Sequence, residues 1–427
     1  MFLTPSFLRD KSMKTELLTV SKVFNEALFR IPDYQRGYSW TEHQLQDFWA
    51  DLEQIDEDKK HYTGVLTLEA VPKEVWSSWD DDRWIITSRS YVPYYVVDGQ
   101  QRLTTISIAI QCIYEEAEKR GLKNLNYTPI LDVKRKYIHE SREDSLAKSY
   151  IFGYERDNPS YEYLKTKIFL EPSTKHHASE ETIYTRNLIK SKDFFREKIE
   201  GKTNQEIEDI YKKITQNFVF NAYEISEDVD VFVAFETMNN RGKPLSILEL
   251  LKNRLIYLSM QSSCNSPEDR LAIRKLINES WKTAYHYLGK NHERPLNDDE
   301  FLRTHTIIFY IKNIIKNQQE DPIDYDQESF KLRRVVERPG SFLLDALFAR
   351  KRNGYNYINL PEVGLSFLKD YSAHLKDCVE RYFKLSSPRM ADFKADEAET
   401  IERLTRLLGH SPNFIILSAY SIEKDHK

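Results

Sequence analysis

The residues best placed to do chemistry stand in Val97-Asp-Gly-Gln-Gln-Arg-Leu-Thr-Thr105. Asp98 is an acid able to hold a metal ion or position a water. Arg102, four residues on, carries a guanidinium fork that fits a phosphate. Gly99 lets a ligand approach the main chain. The same run has a plain structural reading, in which Asp98 is a turn or cap residue and Arg102 joins a surface ion pair. A second group, Asn239, Asn240, Arg241 and Lys243, surrounds Gly242. Helix caps account for Gly242, Pro244, Ser246 and Glu249, the last two as a capping box. They do not account for two amides and two cations in one turn, which suit phosphate or base edges. A third group, Ile31-Pro-Asp-Tyr-Gln-Arg-Gly-Tyr-Ser-Trp40, is broken by Pro32 and Gly37 and reads as a loop. Its aromatic residues either anchor the loop or wall a base pocket beside Arg36.

These groups need elements to position them. Tyr94 to Val97 have strand character, and Leu103, Ile106, Ile110 and Ile113 recur at helical spacing. A strand therefore passes through one glycine into a helix N-terminus. The first amides of that helix lack internal partners and make an anion site. Leu17 to Arg30 read as a short helix or strand leading into one. Thr41 is expected to cap a helix with Leu45, Phe48, Trp49, Leu52 and Ile55 on its apolar face. His61 to Glu69 and Asn217 to Ile225 read as strands, the first opened by Gly64. Val71 to Ser90 reads as a hairpin excursion with a polar tip at Asp80 to Arg83.

Residues 123–216 read as polar and mostly helical, anchored by Leu164, Ile168, Leu188, Phe194 and Phe195. Tyr150 to Asn158 reads as a solvated connection in preference to a ligand contact. A helix is expected from about Asp228, and another after Ser246 on Ile247, Leu251, Leu255 and Leu258. From Pro267 the chain is helical: Leu271–Tyr287, Asp299–Lys316, Glu328–Val336, Ser341–Lys351, Leu365–Tyr382 and Ala395–Leu408. The sequence stops soon after an apolar helix start at Asn413 to Tyr420, as a C-terminally incomplete chain would.

Composition narrows the class. The chain has 427 residues, of which 40% are hydrophobic and 30% charged, with few Gly and Pro, which describes a helix-rich globular protein of two or three domains. A net charge of −5 argues against a wholly basic duplex-DNA binder and leaves room for a local basic groove. The 26 Tyr and 22 Phe are expected chiefly in the core. Cys112, Cys264 and Cys378 lie far apart, with neither disulfide nor zinc spacing, and fit a reducing cytoplasm. No run approaches membrane length and no signal pattern opens the chain. The pair His176-His177 lacks a third ligand at a recognisable spacing and is not read as a metal site. There is no P-loop, no Gly-x-Gly-x-x-Gly, no His-based nuclease signature and no nucleophile elbow.

Three motifs stand in order: Tyr34-Gln-Arg-Gly-Tyr-Ser-Trp40, Val97-Asp-Gly-Gln-Gln-Arg-Leu-Thr-Thr105, and Phe235-Glu-Thr-Met-Asn-Asn-Arg-Gly-Lys-Pro-Leu-Ser246 followed by Glu249-Leu-Leu-Lys252. This set resembles the N-terminal domain of the GmrSD-type family of modification-dependent restriction systems and their phage-defence relatives. The Asp-Gly-Gln-Gln-Arg turn itself resembles the nucleotide-binding turn of the ParB/sulfiredoxin-like fold. The resemblance implies an α+β protein, with a ParB/sulfiredoxin-like mixed α/β domain over residues 1–260, holding a helical insertion at about 123–216. A mostly α-helical domain would follow over 261–427. It implies an NTPase, often preferring GTP or another non-adenine nucleotide, coupled to DNA restriction. Asp98, Gln101 and Arg102 would be catalytic, with Asp98 nearest the hydrolysis. Gln35, Arg36, Gly99, Gln100, Thr104, Asn239, Asn240, Arg241 and Lys243 would bind the nucleotide. Mg²⁺ is the expected cofactor, held at Asp98. Expected partners are DNA, modified or not, and a nuclease domain or subunit that this chain lacks. A homo-oligomer is compatible with the resemblance, and a membrane partner is not expected. The chain alone is expected to hydrolyse NTP without cutting DNA. The competing readings are a non-catalytic sensor that binds nucleotide or modified DNA and recruits a nuclease, and a DNase in its own right.

Overall fold

The computed structural model describes residues 16–32, 35–56, 59–142, 148–155, 158, 160–172, 181–225, 246–261, 267–310, 333, 336–349 and 364–408. The chain divides into two compact units, Met1–Gly242 and Lys243–Lys427. The first is mixed α/β and the second is helical.

The first unit is built on a six-stranded sheet. Its strands are β1 (Glu16–Thr19), β2 (Ala27–Ile31), β3 (His61–Ala70), β4 (Val92–Asp98), β5 (Phe152–Tyr154) and β6 (Phe218–Glu224). They lie in the order β1-β6-β3-β4-β2-β5. β3 pairs antiparallel with β4 and parallel with β6, while β2 runs parallel to both β4 and β5. Leu66 and Leu68 of β3 and Val96 and Val97 of β4 are buried at the centre of this sheet. Its α-helices of nine residues or more, among the described residues, are α1 (Glu42–Gln54), α2 (Gln100–Lys119), α3 (Ile183–Glu200) and α4 (Asn204–Lys212).

α1 begins as its sequence requires. Thr41 is the N-cap, and the Gln44 side chain folds back to accept from the Thr41 amide at 2.9 Å. α2 buries Leu103, Ile106, Ile110 and Ile113 completely, and it also buries Ile108, Ala109 and Cys112. One apolar face was the expectation. The helix is covered on more sides because it packs against α3, α4, the short helix Ile130–Tyr137 and β5. Lys192 of α3 is drawn into this core, where its Nζ donates to Glu115 at 2.7 Å and to the Ile168 carbonyl at 2.5 Å.

Two expectations need correction. Val71 to Ser90 forms helical turns at Lys73–Trp76 and Arg83–Arg89, not a hairpin. Pro72 caps the first, and Trp76, Trp79 and Trp84 pack against the core. The supposed polar tip is anchored: Asp82 is buried and accepts from Arg30 at 2.5 Å, while Arg30 also lies over the Trp79 ring. Tyr150 to Tyr154 is no solvated connection either. Tyr150, Ile151, Phe152 and Tyr154 are buried, and Phe152–Tyr154 is the edge strand β5.

The second unit contains α5 (Ile247–Gln261), α6 (Pro267–Lys290), α7 (Asp298–Phe309), α8 (Leu365–Ser386) and α9 (Ala395–Leu408). The capping box expected of Ser246 and Glu249 is formed: Glu249 accepts from the Ser246 amide at 2.8 Å, and Ser246 Oγ from the Glu249 amide at 3.3 Å. Trp281 of α6 is fully buried and donates to the Leu248 carbonyl of α5 at 2.8 Å. Among the described residues no helix is long and apolar enough to cross a membrane.

Candidate functional site

The turn from β4 into α2 is held by three segments distant in sequence. Gly99 is the N-cap of α2 and has φ +94°, a left-handed conformation that favours glycine. A Cβ there would also stand 3.0 Å from Leu66 Cδ1 and 3.4 Å from the Val65 carbonyl oxygen. The turn therefore lies directly against β3.

Arg102 makes the link to β3. Its Nη1 donates to the Thr63 carbonyl at 3.0 Å, and its Nη2 donates to the Val65 carbonyl at 2.7 Å and to Asp98 at 3.3 Å. The guanidinium lies 6.0 Å from the Phe220 ring centroid of β6. Those two carbonyls flank Gly64, whose φ of +128° breaks the regular strand, and the register between β3 and β6 shifts at this point. Asp98 is half-buried. Burial pushes its carboxyl upward, opposed by the Arg102 charge and by the Gly99 amide hydrogen bond.

The loop 35–40 closes the turn from the other side. Gln35 is buried and its amide nitrogen donates to the Val96 and Val97 carbonyls at 2.7 and 2.9 Å. Gln101 accepts from the Ser39 amide at 2.8 Å and donates to the Gly37 carbonyl at 3.2 Å. Tyr38 is fully buried, with its hydroxyl 2.7 Å from Thr105 Oγ1. Tyr38 thereby packs the loop against α2, as an anchoring aromatic residue would. Thr104 is buried one turn into α2, where its hydroxyl donates to the Gln100 carbonyl at 2.7 Å.

The structure thus brings Gln35, Asp98, Gly99, Gln100, Gln101 and Arg102 together, with Arg36 buried in the same loop. Asn239, Asn240, Arg241 and Lys243 lie outside the described residues, as do Tyr34 and the His176-His177 pair. Among the described residues, Gln35 Oε1 and Gln100 Oε1 at the turn are buried with no hydrogen-bond partner. Such groups are costly unless something donates to them. The sequence reading missed Thr63 and Val65, which hold Arg102 through main-chain oxygens and so leave no trace in residue type.

A cavity of 390 Å³ lies elsewhere in this unit, lined by Ser21, Lys22, Tyr94, Lys136 and Glu224 among others. None of the turn residues lines it. Tyr94 is at the opposite end of β4 from Asp98, about 13 Å away at strand rise. Its hydroxyl lies 3.4 Å from Glu224, and burial raises the pKa of both groups. These residues come from separate elements, and no local motif announces them.

No curated protein matches the chain. The model of the GmrSD restriction endonuclease N-terminal domain matches residues 19–256, which include the whole sheet from β2 to β6, the 35–40 loop, the turn at Gly99 and most of α5. This match spans more than half of the sequence, and the chain belongs to the GmrSD restriction endonuclease N-terminal domain family.

Proposed function

We propose that this chain binds and hydrolyses a nucleoside triphosphate at the Gly99 turn, as part of a modification-dependent DNA restriction system. The observation that carries the reading is the turn itself. A left-handed glycine opens α2, a half-buried acid stands beside it, and the unpartnered oxygens of Gln35 and Gln100 need donors. The unpaired amides of a helix start favour phosphate. Asp98 is the one carboxylate of the turn among the described residues. A Mg²⁺ ion here would take Asp98 together with phosphate oxygens and waters, the usual mode for that ion. Buried amide oxygens suit the protons of metal-bound or attacking water, and phosphoryl transfer needs such positioning more than covalent help. Arg102 already spends its fork on β3 and Asp98, so its part is to hold Asp98 and the turn. The restriction role comes from the family, and the nuclease step belongs to a partner domain or subunit.

The test is phosphate release from the purified chain with each of the four NTPs and Mg²⁺, beside Asp98→Asn and Gln100→Ala. Turnover in the parent chain and its loss in Asp98→Asn, with far-UV circular dichroism unchanged, is the expected result. Saturable nucleotide binding without turnover would replace hydrolysis with a sensor role. Absence of both would remove the nucleotide reading.

A further inference from the structure

In the helical unit, His305 of α7 and His374 and Cys378 of α8 place one ligand atom each within 4.8 Å of one another. His374 and Cys378 are separated by one helical turn and so share a face. His305 Nε2 lies 3.0 Å from His374 Nδ1, and Cys378 Sγ lies 3.6 Å from that same Nδ1. In a tetrahedral zinc site two nitrogens stand about 3.3 Å apart and a nitrogen and a sulfur about 3.6 Å apart. The side chains are thus spaced as ligands are, and this on two rigid helices.

The histidine that completes the cluster sits deep in the helical unit. His305 is fully buried; its Nε2 faces His374, and among the described residues its Nδ1 has no hydrogen-bond partner, so Nε2 is the ligand atom and Nδ1 would carry the proton. The surroundings are aromatic: Phe309, Tyr371 and His374 rings lie 5.9, 5.0 and 5.1 Å from the His305 ring. The three polar side chains meet one another inside this aromatic interior. His374 is only half-buried, which gives a route in from solvent.

We propose that His305, His374 and Cys378 form a three-ligand site for a divalent transition metal of the zinc class, tying α7 to α8. Imidazole and thiolate ligands select such ions over Mg²⁺. Binding replaces the Cys378 S–H bond with an S–metal bond and releases that proton to solvent. The site is separate from the Gly99 turn and does not depend on the nucleotide reading. No zinc spacing was evident in the sequence because the pair His374-x-x-x-Cys378 is completed by His305 from a second helix.

The test is titration of the metal-free full chain with Co²⁺, Zn²⁺ and Mg²⁺. Co²⁺ is expected to give a near-ultraviolet thiolate-to-cobalt band with tetrahedral visible bands, displaced by about one equivalent of Zn²⁺ and unaffected by Mg²⁺. Cys378→Ser should abolish the thiolate band and weaken zinc binding at least tenfold, roughly the scale of lost metal contacts. Cys112→Ser and Cys264→Ser should keep both. His374→Ala gives the same loss through a residue that is not fully buried, so a folding defect at Cys378 cannot imitate the result. Absence of the band in the parent chain, or its persistence in Cys378→Ser, would overturn the site.

Discussion

The guanidinium of Arg102 fills the space that a side chain at Gly64 would need. A Cβ on Gly64 would stand 1.7 Å from Arg102 Nη1. The two residues are one device: the glycine bends β3 so that the carbonyls of Thr63 and Val65 both reach the arginine.

Gly64→Ala must therefore displace Arg102 and also adopt a positive φ. It should cost about 2–3 kcal/mol. Arg102→Ala alone leaves two strand carbonyls without their partner and should cost a similar amount. The double variant should cost clearly less than the sum, since the clash and the lost contacts are the same event. Chemical denaturation of the four proteins measures that coupling; strict additivity would count against it.

Gln101 ties the 35–40 loop to α2 through both ends of its amide. Gln101→Ala should destabilise the first unit by about 1–2 kcal/mol. The amide proton of Ser39, which Gln101 accepts, should exchange faster, while amides in the middle of α2 should not. Gln101→Glu keeps the acceptor and loses the donor, and should restore Ser39 protection alone.

Acid should weaken the first unit through His139. This side chain is buried, and burial first of all lowers its pKa to about 4 from the ordinary 6.5. Lys134 and Lys148 add to the lowering, and Glu171 opposes it at 2.9 Å. The unfolded chain takes up a proton that the folded chain refuses, so stability present above pH 6.5 falls as pH drops toward 4. The loss amounts to about 3 kcal/mol at roughly 1.4 kcal/mol per pH unit. Urea midpoints for the parent chain and His139→Gln, taken at pH 7 and 4.5, should differ most in their pH slope, with the variant flatter.

Lys192 and Glu115 form a pair whose cationic partner is out of solvent. Lys192→Met fits the volume but leaves the Ile168 carbonyl without its donor. A cost of about 3 kcal/mol is expected. Glu115→Gln, at the better exposed end, should cost less. A reversed order in thermal denaturation would mean that the charge of Glu115 matters more than the lysine's main-chain contacts.

What the sequence made legible was local. The strand into Gly99, the periodic apolar residues of α2, Thr41 and the Ser246–Glu249 box all depend on neighbours within four residues. The failures depended on distance. The segment 73–89 turns helical around tryptophans that pack on the core and an aspartate paired with Arg30, 52 residues away. β5 has three residues, too few for a period to show. Gly64 reads as a strand opener until Arg102 is seen inside its missing side chain. At the candidate site the residue types were visible, but not that Gln35 and Gln101 work mainly on main-chain atoms. Hydrogen bonds to carbonyls carry no signature in the partner's identity.

The turn at Gly99 draws on residues 35–39, 63–65 and 96–102, so no two neighbouring segments can build it alone. Arg102 has its two main-chain acceptors only where β3 is paired and bent at Gly64. The same dependence runs in reverse in the native chain. Any slip of β3 along β6 would withdraw Thr63 and Val65 and release Asp98 with them. A competent turn therefore certifies that the sheet beneath it has found its register.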